Sequence, residues 1–147
     1  MNGWLLEPAP LKDTIAVNDA LRAPVVLIAE DEWLVREEIS QEFQHDGWDV
    51  LEAGSGEACL AVAREEHRID AVVTDIQLGG AVNGWDVADA MRLIKPSLAV
   101  VYASASPAER PRMVPDSVFF AKPCSTAALV ETCRRLCRAR WRGLAAA

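Results

Sequence analysis

No run of apolar residues in this chain approaches the ~20 needed to cross a bilayer; the longest, such as Leu98 to Ala103, are strand-sized. Met1 to Pro10 lacks the basic start and apolar stretch of a secretion signal. Positive charge is scarce: Lys+Arg 15 against Asp+Glu 22 leaves a formal net charge of −7, which repels nucleic acid and anionic lipid alike. Cysteine is sparse and unpatterned, because Cys59, Cys124, Cys133 and Cys137 form neither a CxxC pair nor a dense disulfide framework. Cys133 and Cys137 stand one helical turn apart, but no His or further Cys lies nearby to complete a zinc set. These absences predict a cytoplasmic protein with reduced, mostly buried thiols, and with neither membrane nor nucleic acid among its partners.

What is present suits one domain: 147 residues, 51% hydrophobic and 25% charged, enough for a single good core. Residues 1–24 precede the first convincing strand and are expected to be an N-terminal extension, disordered or forming a short helix through Leu11, Ile15 and Leu21. A docked or dimer-forming arm is the sharper alternative. Val25 to Ala29 is a continuous apolar strand running straight into Glu30, Asp31 and Glu32. From Trp33 the period changes, with Val35, Ile39 and Phe43 marking an amphipathic helix that Gly47 stops. Trp48 to Ala53 gives a second strand, and Ser55 caps a helix presenting Cys59, Leu60 and Ala63. Ala71 to Val73 begins a third strand, ended by Asp75 and the loop containing Gly79 and Gly80, before a helix from about Trp85 to Ile94. Leu98 to Ala103 is the fourth strand, with Ser104 at its end. Ser106 and Pro107 look like a helix start, though Pro111 and Pro115 leave that helix little room. Val118 to Ala121 is the fifth strand, ending at Lys122 and Pro123, after which Ser125 caps a long helix striped with Leu129, Cys133 and Leu136. Alternation of this kind predicts an α/β fold with a parallel sheet covered on both faces, and gathers the polar strand-end residues at one rim.

A lone carboxylate such as Asp75 can be a nucleophile toward phosphorus, a metal ligand or a solvated strand end. Three carboxylates brought together repel one another, so one takes up a proton unless a cation is present. Mg²⁺ answers this, since it prefers oxygen ligands and is typically held by one or two carboxylates plus substrate phosphate. Phosphoryl transfer asks mainly for positioning and charge neutralisation. On that reading Asp75 attacks phosphorus, Asp31 and Asp75 with the backbone carbonyl of Gln77 hold Mg²⁺, and Glu30 acts through a bound water. Lys122 neutralises one phosphoryl oxygen and Ser104 donates its hydroxyl to another.

Glu30-Asp31 after one strand, Asp75 after another, Ser104-Ala105 after the fourth and Lys122-Pro123 after the fifth, in this order and spacing, resemble the receiver domain of two-component response regulators. No single motif is specific, but the conjunction is, and it covers about residues 25–140. The resemblance implies a flavodoxin-like, doubly wound, five-stranded parallel sheet of order 2-1-3-4-5. It also implies a histidine kinase or histidine phosphotransfer protein as donor, Mg²⁺ as cofactor, and a cis peptide before Pro123. Family receivers couple the phosphoryl group to a distant face through the Ser or Thr and an aromatic residue, here Ser104 and Phe119: the hydroxyl moves toward the added charge and the ring takes the vacated space.

The chain departs from the common pattern in four places. Glu30 stands for the more frequent Asp, Phe119 for the frequent Tyr, and Cys124 for the usual aromatic after Lys-Pro. The stretch from Ser104 to Lys122 is several residues short and proline-bearing, as in a group of stand-alone receivers, which predicts a shortened or missing fourth helix. The receiver domain is expected over 25–142, followed by one short tail, 143–147, and no output domain. Output would then pass to a downstream protein partner, with a homodimer through the last helix or the leader left open. Arg134, Arg135, Arg138, Arg140 and Arg142 on the last helix read first as a solvated, dipole-complementing end and second as a strip for an acidic partner. Two rivals remain: a constitutive binding scaffold with vestigial phosphorylation, and an aspartate-nucleophile phosphatase. The latter needs a second Asp where Gln77 stands, so the expected class is a phosphoacceptor rather than an enzyme.

Overall fold

The computed structural model describes residues 22–66, 68–105 and 112–145. Five strands, β1 (Val25–Ala29), β2 (Asp49–Ala53), β3 (Ala71–Thr74), β4 (Ala99–Ser104) and β5 (Val118–Ala121), form one sheet in the order β2-β1-β3-β4-β5. Every neighbouring pair is parallel. Four helices are present among the described residues: α1 (Trp33–His45), α2 (Gly56–Glu65), α3 (Gly84–Ile94) and α4 (Thr126–Ala145). The alternating pattern predicts such a parallel α/β sheet, and the strand order is the flavodoxin-like one that the resemblance implies.

The unbroken apolar runs of the central strands follow from burial on both faces. Val26 and Ile28 of β1, with Val73 and Val101, point to the layer built by α1 and α4, where Ile39, Phe43, Leu129 and Cys133 pack. Leu27, Val72, Val100 and Tyr102 point the other way, to Cys59 and Ala63 of α2 and to Val87, Ala88 and Met91 of α3. The helices turn these apolar stripes to the sheet, while Trp33 and Leu34 of α1 and Leu93 and Ile94 of α3 stay exposed. Burying a side chain such as Phe43 or Leu27 stabilises the fold by about 1.5–3 kcal/mol relative to exposure, and both are fully buried.

Helix starts are set by short polar side chains. Ser55 accepts a hydrogen bond from Ala58 N–H at 3.1 Å, and Ser125 accepts one from Ala128 N–H at 3.2 Å. Asn83 and Asp86 form a reciprocal capping box at α3. Between β4 and β5 the described residues, 105 and 112–117, form no α-helix. That agrees with the shortened connection, while the expected helix start at Ser106 and Pro107 falls outside the described residues, as do residues 1–21 of the leader. Helix α4 runs through Gly143 to Ala145, past the point where the tail is expected to begin.

The amino-terminal edge of the sheet is tied by a group the sequence pattern did not single out. Buried Asp70 accepts hydrogen bonds from Arg140 Nη2 of α4 at 2.8 Å and from the Val25 backbone N–H at 2.8 Å. Arg134 of the same helix pairs with Asp46. Two of the five arginines read as a solvated strip are thus anchors of α4 to the rest of the fold.

Candidate functional site

Strand register brings the polar strand ends level. Ala29 is the partner of Ala53 on one side and Thr74 on the other, so Glu30 and Asp75 each follow at the same height. The ladder continues one step beyond the strands: Glu30 N–H donates to Ala53 O at 3.1 Å, Asp75 N–H to Ala29 O at 3.0 Å, and Lys122 N–H to Ser104 O at 2.9 Å. Strand order reverses between β1 and β3, which opens a crevice at their carboxyl ends. An open cleft of about 330 Å³ lies there, lined by Glu30, Asp31, Asp75, Gln77, Gly79 and Ser104 among others.

Inside it Asp75 is held from three directions. Ser104 Oγ donates to Oδ1 at 2.8 Å and Gln77 N–H to the same oxygen at 3.2 Å, while Lys122 Nζ donates to Oδ2 at 3.0 Å. Lys122 also reaches Glu30 Oε2 at 2.6 Å, closer than it comes to Asp75. Glu30, Asp31 and Asp75 each offer an oxygen within 4.8 Å of the others, and among the described residues they are the one such trio of potential metal ligands. Glu30 is buried and Asp31 exposed, so the cluster runs from the protein interior to solvent.

The electrostatics follow from that geometry. Burial pushes the Glu30 carboxyl above its ordinary value; the Lys122 hydrogen bond pulls it back, and the Asp75 charge adds to the upward push. For Lys122, burial is the largest single influence and would lower it, but hydrogen bonds and charges from Glu30 and Asp75 together outweigh burial and hold the ammonium above its usual range. Three carboxylates against one ammonium leave an excess of negative charge that a dication would compensate. The residues present therefore fit a Mg²⁺ site.

The structure brings Glu30, Asp31, Asp75, Gln77, Ser104 and Lys122 together in the cleft. The Lys122–Pro123 peptide bond is cis. Phe119 stands apart: it pairs with Tyr102 in the β4–β5 register, its ring centroid 6.4 Å from the tyrosine ring, half-buried against the core face. Ser104 Oγ bonds Asp75 directly in this structure. Arg36 was not singled out by the pattern: its Nη1 donates to Glu30 O at 2.7 Å while its Nε lies 3.4 Å from Glu52. Its place in the first turn of α1, one helix start after the acidic pair, is the signal that could have found it. The Tyr102 hydroxyl accepts the Val114 N–H at 3.2 Å and so ties the segment leading into β5 to β4, a contact with no signal in the sequence pattern.

A doubly wound parallel sheet with an acidic, lysine-closed crevice at its switch point defines the class of protein. The family model "Response regulator receiver domain" matches residues 26–134, and the chain belongs to that family. It is 34% identical over 88 residues to the probable transcriptional regulatory protein TcrX of Mycobacterium tuberculosis, covering 60% of this chain and 37% of that protein. To the transcriptional regulatory protein PdtaR of the same species it is 30% identical over 109 residues, 71% of this chain and 52% of the relative. The chain thus spans about half, or less, of the length of these curated relatives. Among solved structures, a response regulator receiver protein from Sinorhizobium medicae WSM419 superposes with a TM-score of 0.78 at 32% identity, covering 82% of this chain and 98% of that one. The receiver domain of the hybrid histidine kinase CckA gives 0.67 at 25% identity over 77% and 98%. No described helix is long and apolar enough to cross a membrane.

Proposed function

We propose that this receiver domain accepts a phosphoryl group on Asp75 from a histidine kinase or histidine phosphotransfer protein in the cytoplasm, with Mg²⁺ as cofactor, and that a downstream protein reads the result. The observation that carries this reading is the division of labour around one carboxylate: Ser104 holds Oδ1 and Lys122 holds Oδ2, with Glu30 and Asp31 beside them. Those contacts hold the Asp75 carboxylate in place and aim it. An Asp75 oxygen forms the new O–P bond as the donor's P–N bond breaks, and the departing histidine nitrogen keeps the electron pair. Lys122 and Ser104, already within hydrogen-bond reach of Asp75, then turn to the phosphoryl oxygens and stabilise their charge. Asp31 and Asp75, with the Gln77 carbonyl, would hold Mg²⁺ directly and Glu30 through water, and the bound ion supplies neutralisation of the transferring group.

The readout begins where charge is added. Lys122 spans Glu30 and Asp75, so drawing it toward a phosphoryl group loosens its contact with Glu30, and Ser104 turning from Asp75 alters the end of β4. Phe119 and Tyr102 lie next along β4 and β5, and the Tyr102 bond to Val114 carries the change to the short β4–β5 connection.

Incubation with acetyl phosphate and Mg²⁺ tests the proposal. One equivalent of label per chain, lost in Asp75→Asn, is the expected result. Turnover of many equivalents would establish the phosphatase instead, and no label in the folded wild type would leave the constitutive scaffold.

A further inference from the structure

The loop between β3 and α3 carries Gln77 and Gly79 into the cleft, yet part of its hold comes from an element on the far side of that loop. Glu57, in the first turn of α2, accepts hydrogen bonds through Oε1 from Ala81 N–H at 3.0 Å and Val82 N–H at 3.2 Å. Two glycines make this contact possible. A Cβ at Gly80 would stand 2.8 Å from both Glu57 carboxylate oxygens, and one at Gly56 would overlap the Val82 carbonyl and lie 2.7 Å from Val82 Cγ1. Loop and helix end therefore meet without an intervening side chain. The negative charge also suits its place at a helix N-terminus. Its own backbone N–H and those of Val82 and Ala81 hold the carboxyl below the usual glutamate range.

The other end of the loop is fixed by the Asn83 capping box and by Gly84 N–H donating to Ile76 O at 2.8 Å. Between these anchors and Asp75, Gly79 adopts φ +74, a left-handed turn, with its α-carbon facing Asp31: a Cβ there would be 3.6 Å from Asp31 Oδ2. The height of the Ala81–Val82 segment sets where that turn can sit.

We infer that Glu57 is a positioning residue for the cleft: by holding Ala81 and Val82 it fixes Gly79 and Gln77 relative to Asp31 and Asp75. The inference rests on the phosphoacceptor reading above for its functional meaning, and on geometry alone for its structural one. A merely local role, capping α2, would leave the cleft side of the loop unmoved.

Amide hydrogen exchange on the full metal-free chain separates the two. In Glu57→Ala, the N–H groups of Ala81 and Val82, and also that of Gln77, which donates to Asp75, are expected to exchange at least about 10-fold faster, with β1 and β4 unchanged. Glu57→Gln, which keeps an acceptor oxygen, should restore most of the protection. Calorimetric titration with MgCl₂ should show half-saturation raised about 3- to 10-fold in Glu57→Ala and largely restored in Glu57→Gln. Unchanged exchange at Gln77 beside faster exchange at Ala81 and Val82 would overturn the inference, as would Mg²⁺ binding equal to wild type. If wild type itself neither bound Mg²⁺ nor took label, the phosphoacceptor reading would fall, while the exchange at Gln77 would still decide what Glu57 holds.

Discussion

Replacing Lys122 by Met in the metal-free protein removes the one ammonium that bonds both Glu30 and Asp75 while keeping most of the apolar stem. The side chains of Lys122, Glu30 and Asp75 are 19%, 3% and 11% exposed, so this is a largely buried ion cluster. Removing one partner of such a cluster costs about 3–5 kcal/mol; with the lysine a fifth exposed, about 3 kcal/mol at pH 8 is the expected loss. The loss depends on pH with a definite sign. Glu30 is already raised by burial, and without Lys122 the downward pulls vanish while burial and the Asp75 charge continue to push up. A carboxyl raised in the folded state is penalised only when it would otherwise ionise, so the penalty is absent below the unfolded value of about 4.3 and grows above it, by at most ~1.4 kcal/mol per pH unit per proton. Urea denaturation in EDTA should thus give a gap between variant and wild type below about 1 kcal/mol at pH 4.5, widening to about 3 kcal/mol at pH 8. At about 4 °C per kcal/mol, the latter lowers Tm by about 12 °C. Saturating Mg²⁺ should narrow the gap at pH 8, because the dication takes over the compensation of the carboxylates. A gap of equal size at both pH values would show that lost packing, not lost charge, is responsible, and would refute the reasoning.

Three further outcomes are expected. Tyr102→Phe strands the Val114 N–H and should lower stability by about 1–3 kcal/mol in a denaturant titration; an unchanged midpoint would show that water replaces the hydroxyl. Gly84→Ala would drive a Cβ into the Asp75 carbonyl, 2.8 Å from Asp75 C and from Ile76 Cα, so acetyl phosphate labelling should fall by about 10- to 100-fold in whatever fraction remains folded by circular dichroism. Burial pushes the thiols of Cys59 and Cys137 up to about 12 and about 11, and the Cys133 thiol well upward. Above about pH 8.5 the unfolded chain then releases protons the folded chain retains, and stability should drop by up to ~1.4 kcal/mol per pH unit for each thiol between pH 8.5 and 10. A flat profile there, or rapid reaction of all four cysteines with Ellman's reagent in the native protein, would contradict that burial.

Much of this protein can be read in one dimension because its central strands and its helices repeat at regular intervals. Val25 to Ala29 and Ala71 to Val73 have no polar alternation, which only a strand covered on both faces tolerates; Val35, Ile39 and Phe43 recur at a helical period; Ser55 and Ser125 stand where helix amides need an acceptor. Strand-end chemistry was legible for the same reason, since parallel strands joined by helices place all their carboxyl ends at one rim. Ser104, Lys122 and the acidic residues had nowhere else to gather.

What the tertiary structure alone decided is which polar group meets which. Nothing periodic links Asp70 to Arg140, Glu57 to Ala81 and Val82, Arg36 to the Glu30 carbonyl, or Tyr102 to Val114. A charged residue on a helix face has the same one-dimensional pattern whether it meets water or a backbone amide. Hydrogen bonds reach only about 3 Å and require alignment, so these pairings depend on strand register and loop height, quantities fixed after the elements pack. The apolar stripes of this chain carry its fold because burial is non-directional and tolerates local error; the settings of its cleft are directional, and they exist only once that packing is complete.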